Sequence, residues 1–483
     1  VGVAADGLTA AGEAHPVVEE FHVVAPDRVW EGLSYLRIMA RPVRRGKYRR
    51  DDFPGSDARR RDARCQHRWM DLASIDLSDS KFWDLPLAER ASVFDRLRSE
   101  DPYRYFELPP EITEQFPQRG FHALVRHADV ADASRRPEDF CSGQGGTTAV
   151  DLPTEEMTRY FGSMISMDDP RHRRLRSIVS AGFTPKRVRS LEEAVDRIAG
   201  EIVDDLLQRG PCDFVTEVAS RLPLQIICEM MGVPEDRWAM VFEQSNIILG
   251  AQDQEYRDEN LDLGAQLFLA AMQLTEMMNA LIVERVETPT DDLTSALVHA
   301  EFDGERLSHD EIASFFILLV VAGNETTRNA ISWGLHLLTE HEDQRALWWD
   351  DFTAVAPSAV EEVVRWGSPV ISMRRTATRD GVRLGEREFA EGDKVILYYW
   401  AANRDPEVFA DPHLFKVLRT PNDHFGYGAP GPHFCLGAHL ARREIGVMWR
   451  ELHKRVPGIH ATGPPDRLTS GFINGVKHLP CAW

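Results

Sequence analysis

A cysteine inside a turn rich in glycine and proline is the sequence feature that most constrains this chain. Residues 425–437 read F-G-Y-G-A-P-G-P-H-F-C-L-G, and an amphipathic helical pattern follows Cys435 at once. Glycine and proline at this density hold the backbone in turns where other side chains would clash with a group lying close above. The positive end of the following helix dipole, together with backbone N–H groups aimed at the sulfur, would stabilise a thiolate. The stretch therefore predicts a stiff loop that presents an anionic sulfur.

A sulfur of this kind has two interpretations. An axial metal ligand requires an anionic sulfur on a stiff loop, and haem iron is the metal that accepts one thiolate alone. The alternative is a buried cysteine in a glycine turn, which is the commoner fate of cysteines in general. The stretch by itself favours the ligand interpretation only modestly, so the choice depends on the remaining sequence.

Composition narrows the classes of protein to consider. The 483 residues hold 56 Lys and Arg against 77 Asp and Glu, and the net charge of −21 argues against a nucleic-acid binder. Six scattered cysteines without a C-x-x-C pair indicate reduced thiols, with neither a disulfide framework nor a zinc site. The longest unbroken apolar run, residues 315–323, is too short to span a bilayer. We expect a cytoplasmic protein without an integral membrane segment.

The first 69 residues differ in character from the rest. Basic side chains outnumber acidic ones here, and the run R-P-V-R-R-G-K-Y-R-R-D-D is too charged to bury a face, so the segment is expected to be disordered. The first residue is Val, as a literally translated GTG start codon would give. We expect the functional chain to begin near Met70, with residues 1–69 either an overextended gene prediction or a dispensable tail. A basic partner-binding arm is the alternative.

From residue 70 onward the pattern is orderly and largely helical. An amphipathic helix ends before Pro102, and a strand runs into a helix near residues 121–134. Strand-like runs follow at residues 382–389 and 394–400. Since no repeat period or flexible linker interrupts the pattern, we predict one large, mainly α domain with a small β region over residues 70–483. The longer predicted helices cover residues 171–181, 185–208, 221–231, 237–249, 261–286 and 308–340.

The longest predicted helix changes from apolar to polar at its centre. It begins with a capping box, Ser308 and Glu311, and its middle reads F-F-I-L-L-V-V-A-G-N-E-T-T-R-N. Gly323 weakens the helix there, and threonine hydroxyls that bond back to carbonyls favour a local kink. A carboxylate beside a hydroxyl, as in Glu325 and Thr326, can relay protons to a ligand in a dry setting. A helix that simply emerges into solvent at this point is an equally weighted alternative.

Two charged pairs lie at helical spacing elsewhere. Glu362 and Arg365 share a helix face within A-V-E-E-V-V-R-W, whose apolar residues favour a buried, bidentate pair. His172 and Arg176 share a face of another helix and could hold an anion together. For the first pair an ordinary surface ion pair is the alternative, and for the second a solvated basic face.

These motifs, in this order, resemble those of the cytochrome P-450 family, and the resemblance covers residues 70–483. The A-G-N-E-T-T stretch at 322–327 resembles the oxygen-activating segment of that family's long central helix. Glu362 and Arg365 resemble its E-x-x-R pair, with Arg404 expected to complete an ion-pair network, and residues 425–437 resemble the haem-thiolate loop. The resemblance implies the cytochrome P-450 fold, haem b with Cys435 as axial iron ligand, and a monooxygenase that uses O2 and two electrons.

The resemblance also implies roles for residues around the cofactor and the substrate. Glu325 and Thr326 are the implied catalytic pair, with Thr326 holding dioxygen and Glu325 delivering protons. Besides Cys435, the residues expected to bind haem are His172, Arg176, Arg375, Tyr427, His433 and Gly437. The residues expected to line an apolar substrate cavity are Phe316, Leu319, Val320, Val370, Ile371 and Phe472, with ordinary core packing a nearly equal alternative.

One departure from the family loop bears on substrate class. Gly428 stands where an aromatic residue is usual, seven positions before the cysteine, and Tyr427 lies eight before it. This spacing is similar to that of actinobacterial members that oxidise sterol side chains and methyl-branched lipids. Stretches such as H-F-C-L-G-A-H-L-A-R-R-E-I resemble the branched-lipid ω-hydroxylase group. The expected reaction is hydroxylation of a terminal methyl of a methyl-branched lipid, isoprenoid or sterol side chain.

Two further expectations concern the source of electrons and the alternative functions. The sequence shows no nicotinamide fingerprint or flavin domain, so electrons from NAD(P)H are expected to arrive through a ferredoxin and its reductase. Arg442 and Arg443 are candidates for meeting an acidic ferredoxin. Three alternatives stay open: a member that tailors a polyketide, terpene or macrolide, a peroxide-driven member, and a non-catalytic haem-binding sensor without need of the Glu325–Thr326 pair.

Overall fold

Helices make up most of the ordered elements. The computed structural model describes residues 72–114, 118–151, 163–250, 253–256, 258, 260–261, 263–302 and 304–483, so the expectation for residues 1–69 lies outside the described residues. In chain order the α-helices are α1 (Ser80–Asp84), α2 (Leu87–Glu100), α3 (Pro110–Thr113), α4 (His127–Arg135), α5 (Arg171–Gly182), α6 (Pro185–Arg209), α7 (Arg221–Met231), α8 (Trp238–Gly250), α9 (Leu263–Glu287), α10 (Leu293–His299), α11 (His309–Leu319), α12 (Glu325–Glu340), α13 (Glu342–Asp350), α14 (Phe352–Gly367), α15 (Tyr399–Ala402) and α16 (Ala438–Arg455).

The strands are short and form small sheets. Within the described residues the largest sheet has the order β1-β2-β10-β7-β3, with β10 parallel to β2 and the other pairs antiparallel. The strands are β1 (Tyr105–Phe106), β2 (Phe121–Leu124), β3 (Phe140–Cys141), β4 (Cys212–Asp213), β5 (Glu301–Phe302), β6 (Glu305–Arg306), β7 (Ser372–Ala377), β8 (Val382–Leu384), β9 (Arg387–Phe389), β10 (Lys394–Tyr398), β11 (His460–Ala461), β12 (Asp466–Arg467), β13 (Val476–His478) and β14 (Pro480–Ala482).

The predicted helices are confirmed, with ends that shift by no more than two residues. Local signals explain this agreement. The hydroxyl of Thr184 accepts a hydrogen bond from the backbone of Arg187, and Pro185 fills the first turn of α6. Gly232 ends α7 in the left-handed conformation, with φ of 73°. The elements from residue 72 onward belong to one packed unit, as the mainly α prediction requires.

The long central helix is confirmed and carries a wide turn. The capping box of Ser308 and Glu311 starts α11, and α12 ends at Glu340. Between these helices, Val320–Asn324 forms a π-helical turn. The Thr326 hydroxyl donates to the carbonyl of Ala322 at 2.7 Å, which is the backward bond expected to distort this segment.

Two apolar clusters place the loop and the wide turn in one region. The first cluster lies among α6, α7, α12, α14 and α16, and Tyr427 packs within it. The second lies among α5, α7, α9, α10 and α11 and includes Val320 of the π turn. Leu436, the residue after Cys435, packs against the second cluster. The cysteine loop, through Leu436, and the π turn, through Val320, therefore both border the second cluster.

Helix α9 departs from the expectation drawn from unbroken apolar runs. Within its stretch Gly264–Glu287 an 18-residue window has a mean hydropathy of 1.3, and by length and composition the helix could cross a membrane. Isolated polar residues interrupt the stretch, which is why a search for unbroken runs passes over it. Of that window 39% is buried, and α8, α10 and α11 pack against the helix.

Candidate active site

Backbone hydrogen bonds hold the cysteine loop in a fixed shape. The Cys435 N–H donates to the Tyr427 carbonyl at 3.0 Å, and the Gly428 N–H donates to the Phe425 carbonyl at 2.9 Å. The Phe425 N–H in turn donates to the side chain of Asn403 at 2.6 Å. Gly428 has φ of 88°, a conformation that other residues adopt only under strain. The predicted stiff loop is confirmed.

The sulfur of Cys435 is surrounded by many protein atoms, yet the residue is accessible to solvent. Burial raises the pKa of the Cys435 thiol, while a hydrogen bond from the Gly437 N–H and the charges of Arg176 and Arg442 act to lower it. The side chain is still exposed, so it faces open space among the surrounding groups. The predicted N–H group aimed at the sulfur is present, whereas burial opposes the thiolate, whose stabilisation stays a prediction. A bound cation would supply the missing stabilisation.

Four basic side chains meet beside the cysteine. The rings of His172 and His433 are 4.2 Å apart, and Arg176 donates to the carbonyl of Phe434 at 2.6 Å. Burial, together with the nearby charges of Arg375, His172 and Arg176, lowers the pKa of His433 to about 3. Burial and the charge of Arg176 also lower the pKa of His172. The structure thus brings the predicted group together, and its mutual repulsion suits an anionic ligand.

The π turn presents a small exposed surface next to a buried acid. Ala322 is exposed and Thr326 is half-buried, whereas Glu325 is only 1% exposed. One Glu325 oxygen accepts hydrogen bonds from Arg328 and, at 3.0 Å, from Asn329. Its other oxygen, Oε2, has no hydrogen-bond partner among the described residues. The helix therefore does not simply emerge into solvent, as the alternative interpretation required.

The predicted Glu362–Arg365 pair is buried and bidentate. Neither side chain is exposed, and Arg365 donates to both Glu362 oxygens, at 2.7 and 2.9 Å. The third member of the network is Arg419, whose Nε lies 3.0 Å from Glu362. The expectation that Arg404 completes the ion-pair network is wrong. Arg404 is buried, but its guanidinium stacks 3.9 Å from the centre of the Trp400 ring and donates to backbone carbonyls.

The residues expected to line a substrate cavity divide into two groups. Phe316, Val320 and Ile371 have no exposed surface and pack in the core, so the prediction that they line an open space is wrong. Leu319, Val370 and Phe472 are half-buried and keep apolar surface available. The late turn reaches this region because the Ile371 N–H donates to the Phe472 carbonyl at 2.8 Å.

Comparison with known proteins identifies the family. The family model described as Cytochrome P450 matches residues 255–347 and 354–452. The methyl-branched lipid omega-hydroxylase of Mycobacterium tuberculosis is 48% identical over 421 residues, which cover 85% of this chain and 95% of that protein. The chain belongs to the cytochrome P450 family. The steroid C26-monooxygenase of Mycolicibacterium smegmatis is a second similar P450, 38% identical over 83% of this chain and 93% of its own length.

Solved P450 structures share the fold. A Mycobacterium marinum cytochrome P450 in complex with pseudoionone has a TM-score of 0.80 and 39% identity, covering 85% of this chain and 98% of that one. A cytochrome P450 of the Bacillus subtilis bacillaene polyketide synthase has a TM-score of 0.73 and 29% identity, covering 84% and 99%. The predicted P450 fold is confirmed. As a P450 the protein is a haem-thiolate monooxygenase that uses O2, takes electrons from redox partners and acts on a hydrophobic substrate.

The residues of this P450 fit haem b. Cys435 offers an exposed sulfur, and a Cβ added at neighbouring Gly437 would meet nothing within 4 Å, so the loop leaves room above itself. The cluster of His172, Arg176, Arg375 and His433 offers several donors to the two carboxylates that haem carries. The backbone carbonyl of Tyr427 accepts the Cys435 N–H, and its ring packs in the first apolar cluster, so a direct contact of Tyr427 with haem stays a prediction.

Two arginines of the site, Arg419 and Arg328, were not predicted from the sequence. Arg419 binds Glu362 across 57 positions of sequence, and no periodic pattern links residues so far apart. Arg328 lies three residues after Glu325, at the spacing that also suggested the Glu362–Arg365 pair. The same helical argument could therefore have found Arg328, and only Arg419 required the fold.

Proposed function

We propose that this P450 hydroxylates the terminal (ω) methyl of a methyl-branched lipid, isoprenoid or sterol side chain, with Cys435 as the residue whose sulfur would hold the iron of haem b. The observation that carries the proposal is the arrangement of the exposed Cys435 sulfur and the exposed surface of the π turn about one apolar cluster. The similarity to a methyl-branched lipid omega-hydroxylase and a steroid C26-monooxygenase supports the substrate class.

Each side chain has a defined task in this proposal. Bound haem supplies the oxygen activation and C–H oxidation. Cys435 would hold its iron, and His172, Arg176, Arg375 and His433 would bind its carboxylates. The Thr326 hydroxyl donates its proton to the Ala322 carbonyl, so it would hold dioxygen as an acceptor, through its lone pairs, once a proton is delivered there. Glu325 would pass that proton through Oε2, the oxygen left without a partner among the described residues.

Half-buried apolar side chains orient the substrate. Leu319 precedes the π turn, and Val370 and Phe472 lie where the late turn meets β7. Surfaces of this kind bind methyl groups and alkyl chains and exclude water. A narrow, terminal methyl is the part of a branched lipid that such a surface can direct towards the cysteine loop.

Spectral titration tests the substrate class. The ferric protein is titrated with methyl-branched fatty acids, sterols, pseudoionone and a macrolide, and products are identified by mass spectrometry. We expect a type I shift and a terminal alcohol with the branched lipids or sterols. A shift with the macrolide alone would favour natural-product tailoring, and no shift with any lipid would overturn the proposal.

A variant of Thr326 separates an oxygenase from a haem-binding sensor. Thr326→Ala should consume NAD(P)H and release hydrogen peroxide in place of product, because the hydroxyl that holds dioxygen is gone. Thr339→Ala, a threonine on the same helix whose hydroxyl also bonds backward to a carbonyl, is the matched control and should stay coupled. A protein that oxidises no substrate and is indifferent to Thr326 would be a sensor.

A ferredoxin and its reductase are the proposed electron donors, in the cytoplasm. Arg442 and Arg443 were candidates for docking, but both hold ion pairs within the chain, to Glu361 and Asp196. Either must share or exchange its partner to meet an acidic ferredoxin. Reduction by ferredoxin that slows with rising salt would support charge-guided docking.

Residues 70–483 are the proposed catalytic domain. We expect a chain shortened to start at Met70 to bind haem and oxidise the same substrates as the full chain. Loss of haem binding on removal of residues 1–69 would contradict the view that this segment is dispensable.

A further inference from the structure

Two cysteines that are far apart in the sequence meet across a pair of strands. Cys212 of β4 lies directly opposite Cys481 of β14, and the two strands run antiparallel. Their sulfur atoms are 3.9 Å apart, and both cysteines are free thiols. Because 269 positions separate the two residues, no sequence spacing such as C-x-x-C could reveal the pair.

The geometry of the two strands suits a disulfide. Directly opposite residues of an antiparallel pair have Cα atoms about 4.5–5.5 Å apart, inside the range of about 4.4–6.8 Å that a disulfide spans. A disulfide bond brings its two sulfurs to about 2.05 Å. The sulfurs of Cys212 and Cys481 therefore approach each other by rotation of their side chains, while the strands keep their register.

The two sulfurs differ in their access to solvent. Cys212 is half-buried, whereas Cys481 is only 2% exposed. A dissolved oxidant therefore reaches Cys212 first, and Cys481 lies in position to complete the bond. Burial raises the pKa of the Cys212 thiol, Glu217 and Asp213 raise it further, and Arg209 lowers it. Because the thiolate is the attacking form, oxidation should be slow at neutral pH and faster as the pH rises.

We propose that Cys212 and Cys481 form a redox-responsive disulfide that ties β4 to β14, with a small dissolved disulfide as the oxidant. The Cys212 thiolate attacks that disulfide, its S–S bond breaks, a mixed disulfide forms, and one small thiolate leaves and takes up a proton. The Cys481 sulfur then displaces the second small thiol and closes the bond to Cys212. Two electrons and two protons pass from the two cysteines to the oxidant, which leaves as two thiols.

The crosslink would secure the junction between β4 and the C-terminal strands. β14 is the middle strand of the sheet β11-β14-β4. Beside the cysteines, the Phe214 N–H donates to the Leu479 carbonyl and the Leu479 N–H donates to Oδ1 of Asp213, both at 2.9 Å. A disulfide that closes a loop as long as 269 positions strongly restricts the unfolded chain. We therefore expect the oxidised protein to resist unfolding better than the reduced protein.

The test is incubation of the haem-loaded protein with oxidised glutathione at about pH 8, where thiolates are more abundant. Peptide mass spectrometry and thermal unfolding follow. We expect a disulfide-linked pair of peptides that contain Cys212 and Cys481, a raised melting temperature, and reversal of both by dithiothreitol. Absence of the linked peptides, or a melting temperature that does not rise in protein containing them, would overturn the inference.

Matched variants assign the effect to this pair. Cys481→Ala should stop at a glutathione adduct on Cys212, and Cys212→Ala should form no linked peptides; neither should gain in melting temperature. Cys228→Ala alters a cysteine that has no exposed surface and packs in the second apolar cluster, so it should respond as the wild type does. A rise in melting temperature that persists in Cys212→Ala would overturn the inference. If a variant fails to fold, the oxidised and reduced wild type decide the matter alone.

Discussion

Two buried Glu–Arg pairs with the same helical spacing differ in how completely they are satisfied. Glu362 and Arg365 lie on α14, behind the cysteine loop, and Glu325 and Arg328 lie on α12, at the π turn. Both pairs are almost entirely shielded from solvent. Their surroundings, rather than their sequence pattern, separate a structural pair from a chemical one.

The α14 pair has its hydrogen-bonding capacity filled. Glu362 accepts bonds from both Arg365 and Arg419 and from the backbone N–H of Lys416 at 2.8 Å. The remaining Arg365 donors reach the backbone carbonyls of Asn403, Pro412 and Leu414. Since that segment leads into the cysteine loop, the pair fixes the chain from which Cys435 is presented.

The α12 pair has gaps in its hydrogen bonding. Within the described residues, Oε2 of Glu325, Nε of Arg328 and both amide atoms of Asn324 lack a partner. Buried polar groups without partners are rare in folded proteins and mark places where another requirement competes with stability. An acid that passes protons must keep an oxygen free for the purpose. The difference between the pairs therefore matches their proposed roles.

The largest expected effect is a difference in the free energy of unfolding between variants of the two pairs. Glu362→Gln should lower the free energy of unfolding by about 3–5 kcal/mol, because Arg365 and Arg419 stay buried opposite a neutral amide. Glu325→Gln should cost less, since Arg328 keeps its 2.9 Å bond to Asn246. Urea titrations of equally haem-loaded proteins measure both. Equal losses would contradict the distinction between the two pairs.

Among variants that fold, Glu325→Gln should reduce the rate of product formation more than Glu362→Gln does, the reverse of their order in stability. Glu325→Gln should slow product formation by a factor of about 100 or more, the range expected for loss of a general acid. Glu340→Gln, at the exposed end of the same helix, is the control and should keep full activity. The measurement is product formed per NAD(P)H consumed. An unaffected Glu325→Gln variant would remove the acid from the mechanism.

Glu444 extends the comparison to a buried carboxylate whose pKa is raised by burial. Burial raises the pKa of Glu444 from 4.5 to about 8. Its protonated form is thus favoured on folding, so its contribution to stability is full below about pH 4.5 and is lost as the pH rises to about 8. Within that window each pH unit costs about 1.4 kcal/mol at most. Glu444→Gln should therefore stabilise the protein more at pH 8 than at pH 5; equal effects at both would contradict the raised pKa.

The smallest expected effect concerns the buried hydroxyl of Tyr427. Tyr427→Phe removes a group without a partner among the described residues and should leave stability unchanged or raise it by up to about 1 kcal/mol. Thermal unfolding of the haem-loaded variant measures the change. A loss of stability would indicate that the hydroxyl has a partner after all.

The features that could be predicted from the sequence are those that depend on residues close together in the chain. The helix start at Pro185, the helix end at Gly232 and the distortion around Gly323 follow from nearby residues, and the order of motifs led to the cysteine loop. Long-range partners were not predictable in this way. Arg404 and Arg419 are both basic residues after the E-x-x-R pair, and only packing decides that Arg419 reaches Glu362 while Arg404 stacks on Trp400. Similarly, helical spacing alone cannot tell that Phe316 faces the core.

The central claim is that Cys435 holds the haem iron through its thiolate, and the ferrous–CO spectrum tests it most directly. Wild type and Cys212→Ala, which alters a half-buried cysteine on β4, should both give the Soret band typical of thiolate ligation. Cys435→Ala should lose that band, even when haem is still bound. A Cys435→Ala protein that keeps the thiolate-type band would contradict the account.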